Sequence, residues 1–446
     1  MNSFCLYPRT MNLSDRPLLR LITLCILYVA QGIPWGFVSV TFATFLASQG
    51  KSIETIGTLT AMATLPWTFK WVWGPFIDRF GIPSMGRRRP WILAAQLGMI
   101  GTIVAMAFVE NPSEHVATIT WLVFVHNIFN SLQDVSVDAL AVDLLEESER
   151  GRANGFMYGS KSFGIFLGGA FLSRMVINDS DFTVVYLIQI LMLSLIMLFP
   201  LLLRERAGEK LLPWMKGQSQ LKVGEELADN TFKLFMYLKR AFSLKSTLLT
   251  AIVGFTIFIA GGLLSPITKA LFIQDLGWAR TDLTDIEGGY GMFFGLAGAI
   301  IGGLLADKFG AKRIATLGSI TLALAYLIFG LSSPENGIIS WFDWNDKPIV
   351  ISYVLLTQCM ENLISASMFA MCMTVSWPKV AGTQFTAYMA ILNLSTATGL
   401  KFSGWLSDQL SLPTIFMALA IIQFAVIFIF PFIDVHQARR VLGQEK

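Results

Sequence analysis

Gly74-Pro75-Phe76-Ile77-Asp78-Arg79-Phe80-Gly81 returns 229 residues later as Gly303-Leu304-Leu305-Ala306-Asp307-Lys308-Phe309-Gly310. A basic cluster follows each copy, Arg87-Arg88-Arg89 after the first and Lys312-Arg313 after the second. The spacing is close to half of the 446-residue chain, so the string marks an internal duplication. Each copy closes a long apolar block, and such blocks fill the sequence. The chain is 54% hydrophobic and 14% charged, with a mean hydropathy of +0.60. Soluble proteins carry about 25% charged residues, so there is too little charge here to coat soluble domains.

Twelve apolar blocks are long enough, at roughly 20 residues or more, to cross about 30 Å of hydrocarbon. They run 18–47, 53–77, 90–109, 117–143, 153–175, 183–203, 246–274, 285–305, 313–332, 349–374, 383–406 and 412–433. None alternates polar with apolar as barrel strands do. The pattern predicts an all-α membrane protein of twelve transmembrane helices and excludes a soluble enzyme. The first block is too long for a cleavable leader, and no small-residue cleavage site interrupts it. Loop lysines and arginines set the orientation. With both termini cytoplasmic, 25 of them lie on the inner side and four (Lys51, Arg174, Arg280 and Lys347) on the outer side.

The charged loop 204–245 divides six helices (1–203) from six (246–446). Within Lys222–Arg240, Leu227, Thr231, Leu234, Phe235 and Leu238 fall at helical spacing, which fits an amphipathic surface helix or a solvated linker. Both copies of the repeated string lie on the cytoplasmic side, as in transporters built from two parallel halves. An aspartate that pairs across the junction between halves, and is released in turn, makes a gate. The gating candidates are Asp78, Arg79, Asp307 and Lys308.

The Gly-x-x-x-Asp-Arg/Lys-x-Gly string, repeated between helices 2–3 and 8–9, resembles the signature loop of the major facilitator superfamily. That resemblance implies two six-helix bundles, a central cavity, alternating access and a monomer. Phe69-Lys70-Trp71, Gly74-Pro75, Asp78-Arg79 and Gly86-Arg87-Arg88-Arg89-Pro90-Trp91 are similar to the muropeptide permease (AmpG) family. So are Gln133-Asp134, Asp138-Ala139, Asp143, Glu361-Asn362 and Thr383-Gln384-Phe385. The match covers most of helices 1–5 and 10–11. It implies proton-driven import of anhydro-muropeptides across the bacterial inner membrane. Related branches that carry acetyl-CoA or siderophores look similar.

Ionisable side chains inside a bilayer cost at least about 2.5 kcal/mol, so each is a candidate for function. Seven stand out: Lys70, Asp134, Asp138, Lys161, Lys269, Glu361 and Lys401. Their balance is one positive charge, which suits an anionic substrate. Asn127, Asn130, Asp134 and Asp138 form one stripe on helix 4, which must face water or a partner helix. Glu361 sits 227 residues after Asp134, near the repeat distance. Asp134, Asp138 and Glu361 are the proton-carrying candidates, and a static lysine–aspartate pair is the alternative. Lys70, Lys161 and Lys401 are candidates for the anion. Gln31, Trp35, Tyr158, Asn130 and Asn362 are candidates for the rest of the substrate. Lys269, read near the outer end of helix 7, is expected to snorkel to the interface.

The four cysteines and three histidines show no metal-ligand spacing, and no Gly-Lys-Ser/Thr phosphate cradle occurs. No metal, cofactor or nucleic-acid partner is expected. The function expected is secondary transport driven by protons. A membrane-embedded transferase would need a catalytic constellation that the sequence lacks, and a non-transporting receptor on the same fold is the remaining alternative.

Overall fold

The computed structural model describes residues 12–80, 82–176, 178–215, 231–336, 338–339 and 341–443. The side chains of Asp78 and Arg79 are among those outside the description, as are the 222–230 part of the expected amphipathic helix and the side chains of 231–235. The described chain is helical apart from an isolated bridge between Asn12 and Arg204. Its long helices are α1 (Pro17–Ser48), α2 (Ile53–Thr68), α3 (Arg89–Ala107), α4 (Val116–Leu144), α5 (Glu147–Phe166) and α6 (Asp181–Leu202). They continue as α7 (Lys245–Asp275), α8 (Arg280–Phe309), α9 (Ala311–Leu331), α10 (Lys347–Val375), α11 (Ala381–Gln409) and α12 (Leu412–Ile427).

Among the described residues, eight helical stretches are long and apolar enough to cross a membrane: α1, α3, α6–α10 and the one that α12 opens. The other four differ for a reason. Asp134 and Asp138 lie on α4, Lys161 on α5 and Lys401 on α11, while α2 has only 16 residues. The second helix was expected to run to residue 77 but stops at Thr68. A proline at position 75 has no N–H to offer the carbonyl four residues before it, which disfavours a continuous helix. The chain answers with a tight turn over Lys70–Val72 before a short helix, Trp73–Arg79. That break turns Lys70 toward α4.

Buried apolar side chains form two main cores. Leu24, Phe42, Phe45, Phe182 and Tyr186 belong to the first and Phe272, Tyr326, Phe329, Tyr353 and Phe416 to the second. Glycines allow close helix contact. An added Cβ at Gly32 would lie 2.2 Å from the Lys161 carbonyl oxygen, and one at Gly168 would lie 1.9 Å from that of Ile33. The α1–α5 backbones therefore touch.

At the end of the bundle that holds Asn12 and Gly443, here the near end, the first half is tied by a buried knot. The Glu205 carboxylate accepts the backbone N–H groups of Arg87 (3.0 Å), Arg88 (2.7 Å) and Arg89 (2.6 Å), at the start of α3. Those donors have no partner within the helix, and they favour an anion there. Gly86, at φ 103°, is required: a Cβ would come within 2.6 Å of the same carboxylate. Arg89, 2% exposed, donates to the carbonyls of Met85, Pro200, Leu201, Lys210 and Leu211. The arginine run thus does more than set orientation, because one of its members is a structural post. Burial, with Glu205 close by, pushes the Glu209 carboxyl up to about 7. Leu13 and Ser14 bring the chain's start into the knot by donating to the carbonyls of Arg204 and Glu205. On the second half, Tyr237 of the helix Thr231–Phe242 stacks edge-on against Trp377 at 5.3 Å. Ala241, Val380, Ala438 and Leu442 complete that cluster.

Candidate functional site

The two halves meet tightly at the far end of the bundle. Ser173 Oγ bonds Thr284 Oγ1 at 2.8 Å, and Arg174 grips Asp285 with both carboxylate oxygens at 2.9 Å. Arg280 donates to the carbonyls of Ser173 and Val176, and Gln274 to those of Ala47 and Lys51. Backbone meets backbone beneath them. A Cβ on Gly57 would lie 2.4 Å from the Leu400 carbonyl oxygen, and one on Gly404 would lie 2.5 Å from Glu54 Cα. At the near end Asp307 and Lys308, expected as gating residues, are exposed. Lys308 lies over the ring of its neighbour Phe309, 5.3 Å from the centroid.

Between the halves lies a cavity of about 350 Å³. The first half contributes Trp35, Val38, Ser39, Thr60 and Ile165, and α7–α11 form most of the wall. Its charged lining residues are Lys269, Glu287 and Glu361. Lys269 Nζ lies 3.0 Å from Glu287 Oε2 and 3.2 Å from Ser265 Oγ. The snorkelling expected of Lys269 is incorrect: the residue is 3% exposed. Helix α7 runs on to Asp275, six residues past Lys269, which keeps the ammonium inside and against α8. Glu361 receives the Tyr326 hydroxyl at 3.4 Å and has no ion pair among the described residues. Glu287 and Tyr326 were not foreseen. Glu287 reads in sequence as one of three acids at a helix start, and only the α7–α8 packing turns it inward.

A second polar centre lies within the first half. Lys70 Nζ is 3.2 Å from Asp134 Oδ2, with side chains 13% and 6% exposed. The Tyr28 hydroxyl donates to Asp138 Oδ1. Trp67 Nε1 donates to Asn127 Oδ1 at 3.1 Å, while the Trp67 carbonyl accepts Asn393 Nδ2 from the other half at 3.3 Å. Lys161 Nζ sits 4.9 Å from the Trp67 ring centroid and forms no ion pair among the described residues. The α4 stripe therefore faces α1 and α2 of its own half, the partner-helix option.

Of the residues expected to bind substrate, Trp35 and Asn362 line the cavity, and so does the candidate proton carrier Glu361. Lys161 and Tyr158 stand outside it on α5, with Tyr158 half exposed and its ring 6.1 Å from that of Tyr28. Four others depart from expectation. Lys70 is taken by Asp134, so its charge is spent within the half. Gln31 and Asn130 are fully buried, with Asn130 Nδ2 3.5 Å from the Gln31 carbonyl, because α1 and α4 pack face to face there. Lys401 is exposed and donates to Thr58 Oγ1 at 3.0 Å, since α11 turns that face to α2 and the outside.

The sequence profile of the Major Facilitator Superfamily matches residues 24–260 and 250–446. The putative transporter AmpG 4 of Rickettsia felis is 23% identical over 430 residues, covering 93% of this chain and 96% of the relative. The anhydromuropeptide permease of Escherichia coli K12 is 23% identical over 384 residues, covering 85% of this chain and 72% of that protein. Among solved structures, a D-xylose–proton symporter superposes with a TM-score of 0.70 at 13% identity, over 95% of this chain and 99% of its own. At that identity the likeness is one of fold.

Proposed function

The chain belongs to the Major Facilitator Superfamily and is a multi-pass membrane transporter, not an enzyme, and from that premise we propose that it imports an anhydro-muropeptide with protons. In this reading all twelve helices span a bacterial inner membrane as a monomer of two six-helix halves, residues 1–203 and 246–446, with both termini cytoplasmic. The far end is then periplasmic and closed, and the near end faces the cytoplasm.

One observation carries the mechanism. Two carboxylates, Asp138 and Glu361, stand in separate halves, each met by a tyrosine hydroxyl and neither ion-paired among the described residues. An acid held in this way exchanges a proton when water reaches it, whereas Asp134 is already matched by Lys70. Of the three candidates, Asp138 is favoured as the proton carrier. Lys161, which forms no ion pair among the described residues and lies over the Trp67 ring, is the anchor for the substrate's negative group. The cavity is smaller than a whole disaccharide-peptide. The ligand therefore places one arm inside and extends past Lys161, Tyr158 and Trp67 toward the near end. Import requires the far-end contacts to part while the near end closes, with Asp78, Arg79, Asp307 and Lys308 as gating residues.

Proteoliposomes with an imposed pH gradient, outside acid, test the reading. Labelled anhydro-muropeptide should accumulate, a protonophore should stop it, and Asp138→Asn should lower gradient-driven accumulation at least tenfold while substrate exchange continues. Accumulation that ignores the protonophore would remove proton coupling. Binding without accumulation would point to a receptor. Accumulation of acetyl-CoA or a ferric siderophore instead would reassign the substrate.

A further inference from the structure

The fixed charge inside the cavity is opposite in sign to the one that the whole interior suggested. Seven intramembrane ionisable groups sum to one positive charge in sequence, yet the cavity's own lining holds Lys269, Glu287 and Glu361. Lys269 is satisfied twice over, by Glu287 and by Ser265. That leaves Glu361 as the one acid on the described lining without an ion-pair partner. Its surroundings are suited to a cation. Trp35, Phe258, Tyr326 and Tyr353 line the same space, and aromatic faces attract an ammonium group. Thr357 and Gln358, one turn of α10 before Glu361, add oxygen acceptors for the remaining N–H bonds. Gly261 of α7 leaves the room: a Cβ there would lie 2.6 Å from Glu361 Oε1.

We infer that Glu361 is the recognition point for a substrate ammonium group, so that the ligand is amphoteric, with its carboxylate toward Lys161 and its amine in the cavity. The inference rests on the muropeptide reading and deepens it. A stem peptide that ends in a diamino acid offers such an amine, whereas a bare sugar or an acyl thioester does not. It also divides the acids between tasks, leaving Asp138 for the proton. A carboxylate–ammonium contact removed from water is worth about tenfold or more in affinity, because an unpaired charge buried on either side is costly.

The test uses two probes on the full-length purified protein in nanodiscs. One is a disaccharide tripeptide with a free side-chain amine on its third residue. The other is the same compound acetylated at that amine. Wild type should bind the free amine at least tenfold more tightly by calorimetry. Glu361→Gln, nearly isosteric, should bring the free amine down to the level of its acetylated twin, and Glu361→Asp should keep part of the preference. Gly261→Ala, which crowds the carboxylate without removing it, serves if Glu361→Gln does not fold, and it too should shrink the preference below threefold. Equal binding of the two probes by wild type, or a tenfold preference that survives in Glu361→Gln or Gly261→Ala, overturns the amine assignment and leaves the muropeptide reading standing. If neither probe binds, the muropeptide reading falls and takes the inference with it.

Discussion

Lys70→Met should cost the chain most of its stability margin and its transport, and Lys70→Met combined with Asp134→Leu should restore folding without restoring transport. The pair lies 3.2 Å apart with both side chains largely out of water. Removing one member takes from the other its 3.2 Å partner in a largely dry site, at a cost of up to about 3–5 kcal/mol. Removing both exchanges a desolvated ion pair for apolar packing, which is often neutral or stabilising. Thermal unfolding of the purified variants, read beside vesicle uptake, separates the cases. A single variant that melts within two degrees of wild type would show that Lys70 and Asp134 are independently solvated, and the static-pair reading would be wrong.

The second large effect is steric. Gly168→Val should give no monodisperse protein. Its Cβ would meet the carbonyl oxygen of Ile33 at 1.9 Å and the Phe37 nitrogen at 2.7 Å, both of them backbone atoms that no rotamer can move. Helix α1 would have to shift, and Thr41 Oγ1, which donates to the carbonyls of Gly168 (2.7 Å) and Gly169 (2.8 Å), would lose its place. Ordinary overpacking costs about 1–3 kcal/mol, and backbone contact at this distance should exceed it. Gly159, on the same helix with nothing within 4 Å of its Cβ position, is the control, and Gly159→Val should purify normally. Indistinguishable size-exclusion profiles for the two variants would refute the close α1–α5 contact.

Both predictions rest on details that the sequence carries unequally. Many helix positions were legible because a helix in lipid must be long and apolar, and eight described stretches meet that demand. Helix α4, which carries Asp134 and Asp138, could still be found, because its polar residues recur on one face instead of scattering. Side-chain partners were less visible. Asp134 and Glu361 stood out as buried acids. The choice of Lys70 for Asp134 depends on a turn imposed by Pro75, and the choice of Glu287 for Lys269 depends on where α7 ends. Lys401 shows the limit most plainly. A lysine within an apolar helix is equally compatible with a cavity, a neighbour or the outside, and only the rotation of α11 against α2 decides.

The knot around Glu205 and the Tyr237–Trp377 contact have a consequence for the chain's topology. The contacts named here for each lie on its own side of residues 216–230. Severing the chain there would remove no bond described here; it would lower only the concentration at which each piece finds the other. Two fragments made by a cut between residues 216 and 230 should then depend on the far-end contacts to reassemble, which co-purification of the co-expressed fragments would check.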